Sequence, residues 1–397
     1  MSLPLAEATT NPALGVAIIV LGGLAGATFY LPFQKVKEWS WESYWMVYAV
    51  TGLVIVPLVL ALATSPNAFS VLWNAPPKEL LYCYLCGAMW GLGGMTWGLM
   101  IRYLGLGLGL AIGFGLCSAS GTLVPPILNG KFADLYNSPA AQMSLVGVIV
   151  SLLGIVLVGA AGMSKESELS EDQKKRAVAE YDFKKGILVA IFSGLMSSAM
   201  SFGLQGGVVT EMKAHYGSKT EVGSDANART PLKSAFGPEM QYDKDKKVWF
   251  APAAEADEKL TSSTWKGIPV LVIVLLGGFT VNVVLCLFLN FKNRTFGDYT
   301  KSQAPLLANL IFAALAGTIW CCQFIASKTG GTALGSLEYI SWAVLMASAI
   351  LFSSLIGLLG GEWKGTSGRT RGLLAFGLLL LFASTAIAVY GGSLKTI

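Results

Sequence analysis

The chain has 397 residues, of which 54% are hydrophobic and only 13% charged, with a formal net charge of +5 and a mean hydropathy of +0.60. A soluble domain carries roughly 25% charged residues, so the composition excludes an ordinary water-soluble globule. The basic residues flank apolar runs and form no single patch, which excludes a nucleic-acid partner and points to a lipid bilayer as the surroundings.

The tail Met1–Thr10 has no Lys or Arg. The positive region of a secretory signal is therefore missing, and the first apolar run, 12–33, reads as a retained span. Further runs follow at 43–63, 79–101, 104–127, 141–161, 185–207, 267–290, 304–326, 333–359 and 371–391. About 20 apolar residues cross the hydrocarbon core as a helix, whereas barrel strands are alternating segments of about 10. The runs are continuous, so the expectation is an all-α polytopic membrane protein with ten transmembrane helices. Small-xxx-small pairs such as Gly22/Gly26 and Gly87/Gly91 suit close helix packing.

Loops after odd-numbered spans carry most of the Lys and Arg, including Lys35, Lys37, Arg102, Lys165, Lys174, Arg176, Lys292, Arg294, Lys364 and Arg371. Short loops after even-numbered spans hold only Lys78, Lys131 and Lys328. The positive-inside rule places the odd loops in the cytoplasm and both termini outside. Residues 166–184 read as a cytoplasmic linker between a first five-span unit, 1–165, and a second, 185–397. Residues 208–266 read as a polar external insert, a cap, an arm or a partly disordered segment, which contains the sole histidine, His215. An offset of 171 residues puts Gly15 on Gly186, Gly23 on Gly194 and Gln34 on Gln205; one of 230 puts Gly87 on Gly317 and Trp90 on Trp320. Two repeats of five spans have opposite orientations, the inverted-repeat plan of many secondary transporters.

Catalytic and cofactor motifs are missing. There is no nucleotide-binding G-x-x-x-x-G-K-[ST], and Gly105-Leu-Gly107-Leu-Gly109 lies within a span and follows no strand. His215 lies in the insert, away from any Ser/Asp partner pattern. Cys83-x-x-Cys86 lacks the further ligands a zinc site needs, so the six cysteines read as packing residues. No enzyme activity, cofactor or metal is expected.

Three stretches carry a family resemblance: Phe29-Tyr30-Leu31-Pro32-Phe33-Gln34-Lys35-Val36-Lys37-Glu38-Trp39-Ser40-Trp41-Glu42; Gly87-Ala88-Met89-Trp90-Gly91 with Gly98-Leu99 and Arg102-Tyr103-Leu104-Gly105; and Gly121-Thr122-Leu123 with Pro126-Ile127 and Asn129-Gly130. They closely resemble the bacterial L-rhamnose–proton symporter family, a branch of the drug/metabolite transporter superfamily. Met200-Ser201-Phe202, Asn282, Gln323, Tyr339-Ile340-Ser341-Trp342 and Glu362-Trp363 add to the likeness. The resemblance implies proton-coupled import of a monosaccharide, L-rhamnose or a related deoxysugar, across a bacterial inner membrane. It also implies three departures: the insert at 208–266, Glu338 where the family has Asp, and Gln205 where it has Asn.

A proton-coupled carrier needs a titratable group on its cavity. Ionisable residues inside membranes are costly and functional by default, and the carboxylates in or beside spans are Glu42, Glu338 and Glu362. Glu338 is the candidate for proton coupling, against a span-end glutamate facing water or a salt-bridge partner. Glu42 and Glu362 sit beside Trp41 and Trp363 and read as interfacial anchors. Sugar binding calls for aromatic faces against C–H surfaces and polar partners for hydroxyl groups. The candidates are Trp90, Trp97, Trp320 and Trp342, the amides Gln34, Gln205 and Gln323, and Tyr30, Lys35 and Tyr339. Two other functions remain open on this sequence: an exporter of drugs or metabolites on the same scaffold, and a membrane receptor or scaffold using the long loop.

Overall fold

A computed structural model describes residues 11–394 apart from 105, 129–131, 169–181, 224–233, 236–239, 244–247, 301–303 and 362. The expectations for Met1–Thr10, Gly105, Asn129-Gly130, Lys131, Glu362 and most of the 166–184 linker lie outside the described residues.

The apolar runs form helices: α1 (Pro12–Thr28), α2 (Trp41–Val50), α3 (Val56–Thr64), the short α4 (Ala68–Asn74), α5 (Pro77–Leu104), α6 (Leu106–Leu128) and α7 (Pro139–Ser167). The second half contributes α8 (Phe183–Gly206), the short α9 (Val208–Tyr216), α10 (Ile268–Asn293), α11 (Leu306–Leu334), α12 (Ser341–Leu359) and α13 (Gly368–Ser393). Their starts carry caps. Asn11, Ser138, Asp182 and Ser367 each accept a backbone N–H three residues on, satisfying a donor that the first turn leaves open. A π turn at Thr51–Ile55 joins α2 to α3 just before Pro57, where the proline ring and missing N–H disfavour a regular helical turn.

Among the described residues, seven stretches are long and apolar enough to cross a membrane, and Ile112–Leu128 within α6 is a shorter apolar helix. Large apolar side chains such as Leu21, Phe288 and Leu379 point outward along these helices. An apolar surface of that extent suits a lipid solvent. The chain is therefore a multi-pass membrane protein.

Lipid tails are as apolar as leucine, so helices associate through close packing. α1 packs against α11 and α12, and α8 packs against α5 and α6; α10 lies on α5, α2 on α11, and α7 on α13. Exchanging α1 with α8, α2 with α10, α5 with α11, α6 with α12 and α7 with α13 maps this set of contacts onto itself. The glycines matched in sequence sit at these crossings. A Cβ on Gly15 would lie 2.7 Å from the Gly330 carbonyl oxygen, and one on Gly186 would lie 2.5 Å from Leu104. A Cβ on Gly87 would fall 1.8 Å from the Val274 carbonyl oxygen, and one on Gly317 would fall 2.5 Å from that of Tyr48.

The segment after α8 opens with α9, whose Thr210, Glu211 and Met212 are buried. Beyond it lies an antiparallel sheet of β1 (Glu221–Gly223), β2 (Gln241–Asp243) and β3 (Val248–Ala251) in the order β1-β3-β2, pairing Val222 with Phe250 and Tyr242 with Trp249. Among the described residues the fold is thus helical with one small sheet, which the uniformly helical expectation did not contain. Polar contacts dock this segment beside α4: Asn67 donates to the Ala214 carbonyl at 3.1 Å and to Glu258 at 3.0 Å, and accepts from Thr261 at 2.6 Å.

Candidate functional site

Near the sheet-bearing end of the bundle, Lys328 is only 3% exposed and Glu211 only 2%. The sequence places Lys328 in a loop after an apolar run ending at 326. The structure corrects this, because α11 continues to Leu334 and carries Lys328 inside. An unpaired ammonium here would be prohibitive. Its Nζ instead donates to the Leu204 carbonyl at 2.6 Å and to Glu338 at 3.0 Å, and forms an ion pair with Glu211. Leu204 lies in the last turn of α8, where carbonyls have no intrahelical partner. Gly335, at φ 59, ends α11 in a backbone conformation that glycine adopts readily. The chain then enters the 3-10 turn Gly335–Ile340, which brings Glu338 back beside Lys328.

Ser201, Leu204, Gln205, Ser327, Lys328, Glu338, Ser341 and Trp342 line a small cavity, with about 10 Å³ open to a water centre. That is space for about one water molecule. Gln205 donates to Ser201 at 2.7 Å, and Ser201 to the Gly121 carbonyl at 2.6 Å. Trp342 donates its indole N–H to the Cys117 carbonyl at 3.0 Å and lies across Gly121, where a Cβ would come within 2.4 Å of the ring.

A run of aromatic rings leads from this cavity toward the middle of the bundle. Trp342 stacks with Phe324 at 6.4 Å between centroids, Phe324 meets Trp320 at 4.5 Å, and Trp320 meets Trp90 at 5.1 Å and Tyr48 at 5.7 Å. Trp90 and Trp320 sit at the midpoints of α5 and α11. At 1.5 Å per residue, Trp320 lies about 12 Å along α11 from Lys328.

The structure therefore brings Glu338, Gln205 and Trp342 to one cavity and places Trp90 against Trp320 next to it. Gln323 is buried on α11, beside Gly26 of α1. Tyr339 turns away from Lys328 and points its hydroxyl at the Ala141 carbonyl of α7, 3.4 Å away. Trp97 joins a separate cluster, donating to Ser197 at 2.9 Å and lying 4.6 Å from Phe114. Tyr30 packs against Phe29 and Phe33 and is half-exposed, and Gln34 and Lys35 are exposed in the turn Leu31–Lys35. Tyr339, Trp97, Tyr30, Gln34 and Lys35 are not at the cavity.

Sequence reasoning missed Lys328, Glu211, Ser201 and Ser341. A readable signal existed for the first: across all of α11, Lys328 is the only charged residue. Glu42 also differs from its interfacial reading. It is buried and accepts from Asn293 and Thr295, each at 2.9 Å. Cys83 and Cys86 are buried free thiols, with Cys83 3.4 Å from the Gly203 carbonyl.

An ion-paired ammonium facing a closed polar cavity, next to an aromatic wall and inside an apolar helical bundle, is the build of a membrane carrier. The family model described as L-rhamnose-proton symport protein (RhaT) matches residues 9–220 and 235–393, and the chain belongs to that family. The chain is 28% identical over 382 residues to an L-rhamnose-proton symporter of Klebsiella pneumoniae subsp. pneumoniae, covering 95% of this chain and 97% of the relative. It is 29% identical to symporters of the same description from Yersinia pestis bv. Antiqua and Yersinia pseudotuberculosis serotype O:1b, with the same coverage of both chains. The family match takes in 208–220 and 235–266. Most of the segment expected to be foreign to the family is therefore part of it, and only 221–234 falls outside.

Proposed function

We propose that this chain is a secondary carrier that imports L-rhamnose together with a proton. The observation that carries the reading is the pair of buried Lys328 and partly buried Glu338 on a polar cavity, in a chain of the L-rhamnose-proton symport family. L-rhamnose is neutral, so its accumulation must draw on a charge that moves with it. Glu338 is the carboxylate that takes this proton. Lys328 stabilises its ionised form, and Gln205, Ser201 and Ser341 offer amide and hydroxyl partners to sugar hydroxyls. The Trp90 and Trp320 faces, with Gln323 and Trp342 nearby, suit the C–H surfaces and methyl group of a deoxysugar. Tyr30, Gln34 and Lys35 would serve the opposite mouth of the path, and Tyr339 and Trp97 would brace its walls.

The architecture behind this reading is ten spans in two inverted five-span repeats, 1–165 and 185–397, on the drug/metabolite transporter plan. Support comes from the two-way exchange of helix contacts and from the matched glycines at equivalent crossings. Both termini lie on the periplasmic side of a bacterial inner membrane, on the distribution of Lys and Arg. The cavity, with space for about one water molecule, corresponds to an occluded carrier that must widen to admit a sugar ring. Alternating access follows from rocking one repeat against the other.

The test is Glu338→Gln reconstituted in vesicles. Proton-driven accumulation of L-rhamnose should vanish while exchange of labelled for unlabelled sugar persists. Undiminished accumulation would remove Glu338 from the mechanism.

A further inference from the structure

We propose that Glu211 is the latch of the gate on the sheet-bearing side, and that Lys328 shifts between Glu211 and Glu338 as Glu338 gains and loses its proton. The inference rests on the reading of Glu338 as the coupling carboxylate.

An ammonium has three hydrogens and no acceptor. Lys328 Nζ has three acceptors on three elements: the Leu204 carbonyl of α8, Glu338 of the 3-10 turn, and Glu211 of α9. The Leu204 carbonyl is fixed in its helix. The two carboxylates sit on rotatable side chains and compete for the same charge. Gly267, at the start of α10, leaves the slot for the Lys328 stem, since a Cβ there would lie 2.3 Å from Lys328 Cε.

Glu211 can act as a latch because of the element that carries it. Gly207, at φ −87 and ψ 42, breaks the helix between α8 and α9, so α9 is a separate rod on a one-residue hinge. Glu79 of α5 steadies its first turn, accepting from Val209 N at 2.9 Å, Thr210 N at 2.8 Å and Thr210 Oγ1 at 2.6 Å. On the cavity side α9 is held by the ion pair from Glu211 to Lys328, and at its far end the Ala214 carbonyl accepts from Asn67 and from Thr261 N. The titratable groups around that pair are Glu79 and Cys83 from α5, and Glu338 from its turn. Lys213 on α9 itself turns away to the Ser218 and Thr220 carbonyls.

The charges then set the order of events. While Glu338 is ionised it shares Lys328, and α9 is held weakly enough to open. When Glu338 takes a proton from the sheet-bearing side its charge is lost, and Lys328, still an ammonium, commits to Glu211 and holds α9 shut. Release of the proton to the other side returns Lys328 to the shared position. The gate therefore closes firmly only on a protonated carrier, which is the condition that symport requires.

The experiment reads α9 directly. A cysteine at Val208 (V208C) is labelled with a membrane-impermeant maleimide in proteoliposomes, with rates normalised to the same protein unfolded at each pH. Lowering the pH from about 8 to about 6 should slow labelling several-fold; with Glu211→Gln added, labelling should be fast and insensitive to pH. Glu211→Gln should also lose about tenfold in the L-rhamnose accumulation ratio, with a flattened pH profile, while downhill entry continues. Equal protection of V208C with and without Glu211, or protection that does not change with pH in the parent, would overturn the latch. The labelling needs no sugar, so a wild-type protein indifferent to L-rhamnose would refute the substrate reading and leave this result standing by itself.

Discussion

Replacing Lys328 by Met tests the centre of the site. Methionine keeps an unbranched stem for the slot beside Gly267 and removes the ammonium. Glu211, at 2% exposure, and Glu338, at 16%, then lose the cation they share. Removing one partner of a buried ion pair costs about 3–5 kcal/mol when the remaining charge stays ionised. Binding a proton relieves that cost, so the variant should hold a proton on this pair throughout the transport cycle. A carrier that cannot release its proton cannot couple to the gradient, although it can still exchange sugar. One charge moving down 100 mV is worth about 2.3 kcal/mol, and each 1.4 kcal/mol is tenfold. One proton per sugar therefore supports roughly 50-fold accumulation in the wild type. In vesicles at that potential K328M should bring L-rhamnose to about the external concentration and no further, with counterflow intact. K328M vesicles that concentrate the sugar near 50-fold, with an unchanged pH profile, would refute the assignment of Lys328.

Gly87→Ala should sharply reduce the yield of folded protein, because its Cβ would meet the Val274 carbonyl oxygen at 1.8 Å, whereas Gly94→Ala, with nothing within 4 Å, should behave as wild type in detergent size-exclusion profiles. Glu168, just past α7, accepts from Ser367 N at 2.7 Å, Ser367 Oγ at 2.5 Å and Thr370 Oγ1, and these bonds, led by those from Ser367, hold its carboxyl below the ordinary carboxylate value. A depressed carboxyl stabilises above its unfolded value and loses that contribution as pH falls through the folded one. Thermal midpoints of wild type and Glu168→Gln should therefore differ at pH 7 and converge below about pH 4; a constant difference down to pH 3 would exclude this clasp between α7 and α13.

The helices were legible because each is a local apolar run, and their observed ends fall within a few residues of the sequence limits. The exceptions are α11, which continues to Leu334 past an apolar run ending at 326, and α12, which starts at Ser341 inside a run beginning at 333. A lysine after an apolar run ordinarily marks a helix end near the interface, and the one local sign that Lys328 stays inside is that it is the single charge between 306 and 334. Its acceptor Leu204 is 124 residues away in sequence, and Glu211 lies on a segment whose charges suggest an exposed loop. Glu42 misled in the same way, since the partner that buries it, Asn293, is 251 residues distant. The sequence match at an offset of 230 paired Trp90 with Trp320, and both sit at mid-helix, but their contact was not legible there. The match at an offset of 171 paired Gln34 with Gln205, yet only Gln205 reaches the cavity. An internal repeat reports equivalent positions in a helix scaffold. It does not report equivalent surroundings once the α8 end is capped by α9 and the α1 end opens into an exposed turn.

The two ends of the bundle are tied by different chemistry, and the difference bears on coupling. α10 runs about 39 Å from Gly267 to Asn293, so Lys328 and Glu42 mark opposite ends. At the Glu42 end the hydrogen bonds to the carboxylates among the described residues include these from neutral donors. Glu42 takes Asn293 and Thr295, Asp298 takes Ser40 N at 2.8 Å and Ser43 Oγ at 2.9 Å, and Asn309 and the Lys37 backbone exchange two hydrogen bonds. Each carboxylate there has its own pair of donors, so gain or loss of one proton changes only that carboxylate's contacts. At the Lys328 end one ammonium serves two carboxylates on separate elements, so a proton on either redistributes the charge between both. Neutral donors report on one carboxylate at a time, whereas a shared cation couples the protonation of one carboxylate to the hold on the other. A carrier of a neutral sugar needs that coupling on the side from which the proton enters, and the shared cation lies at the end read as external.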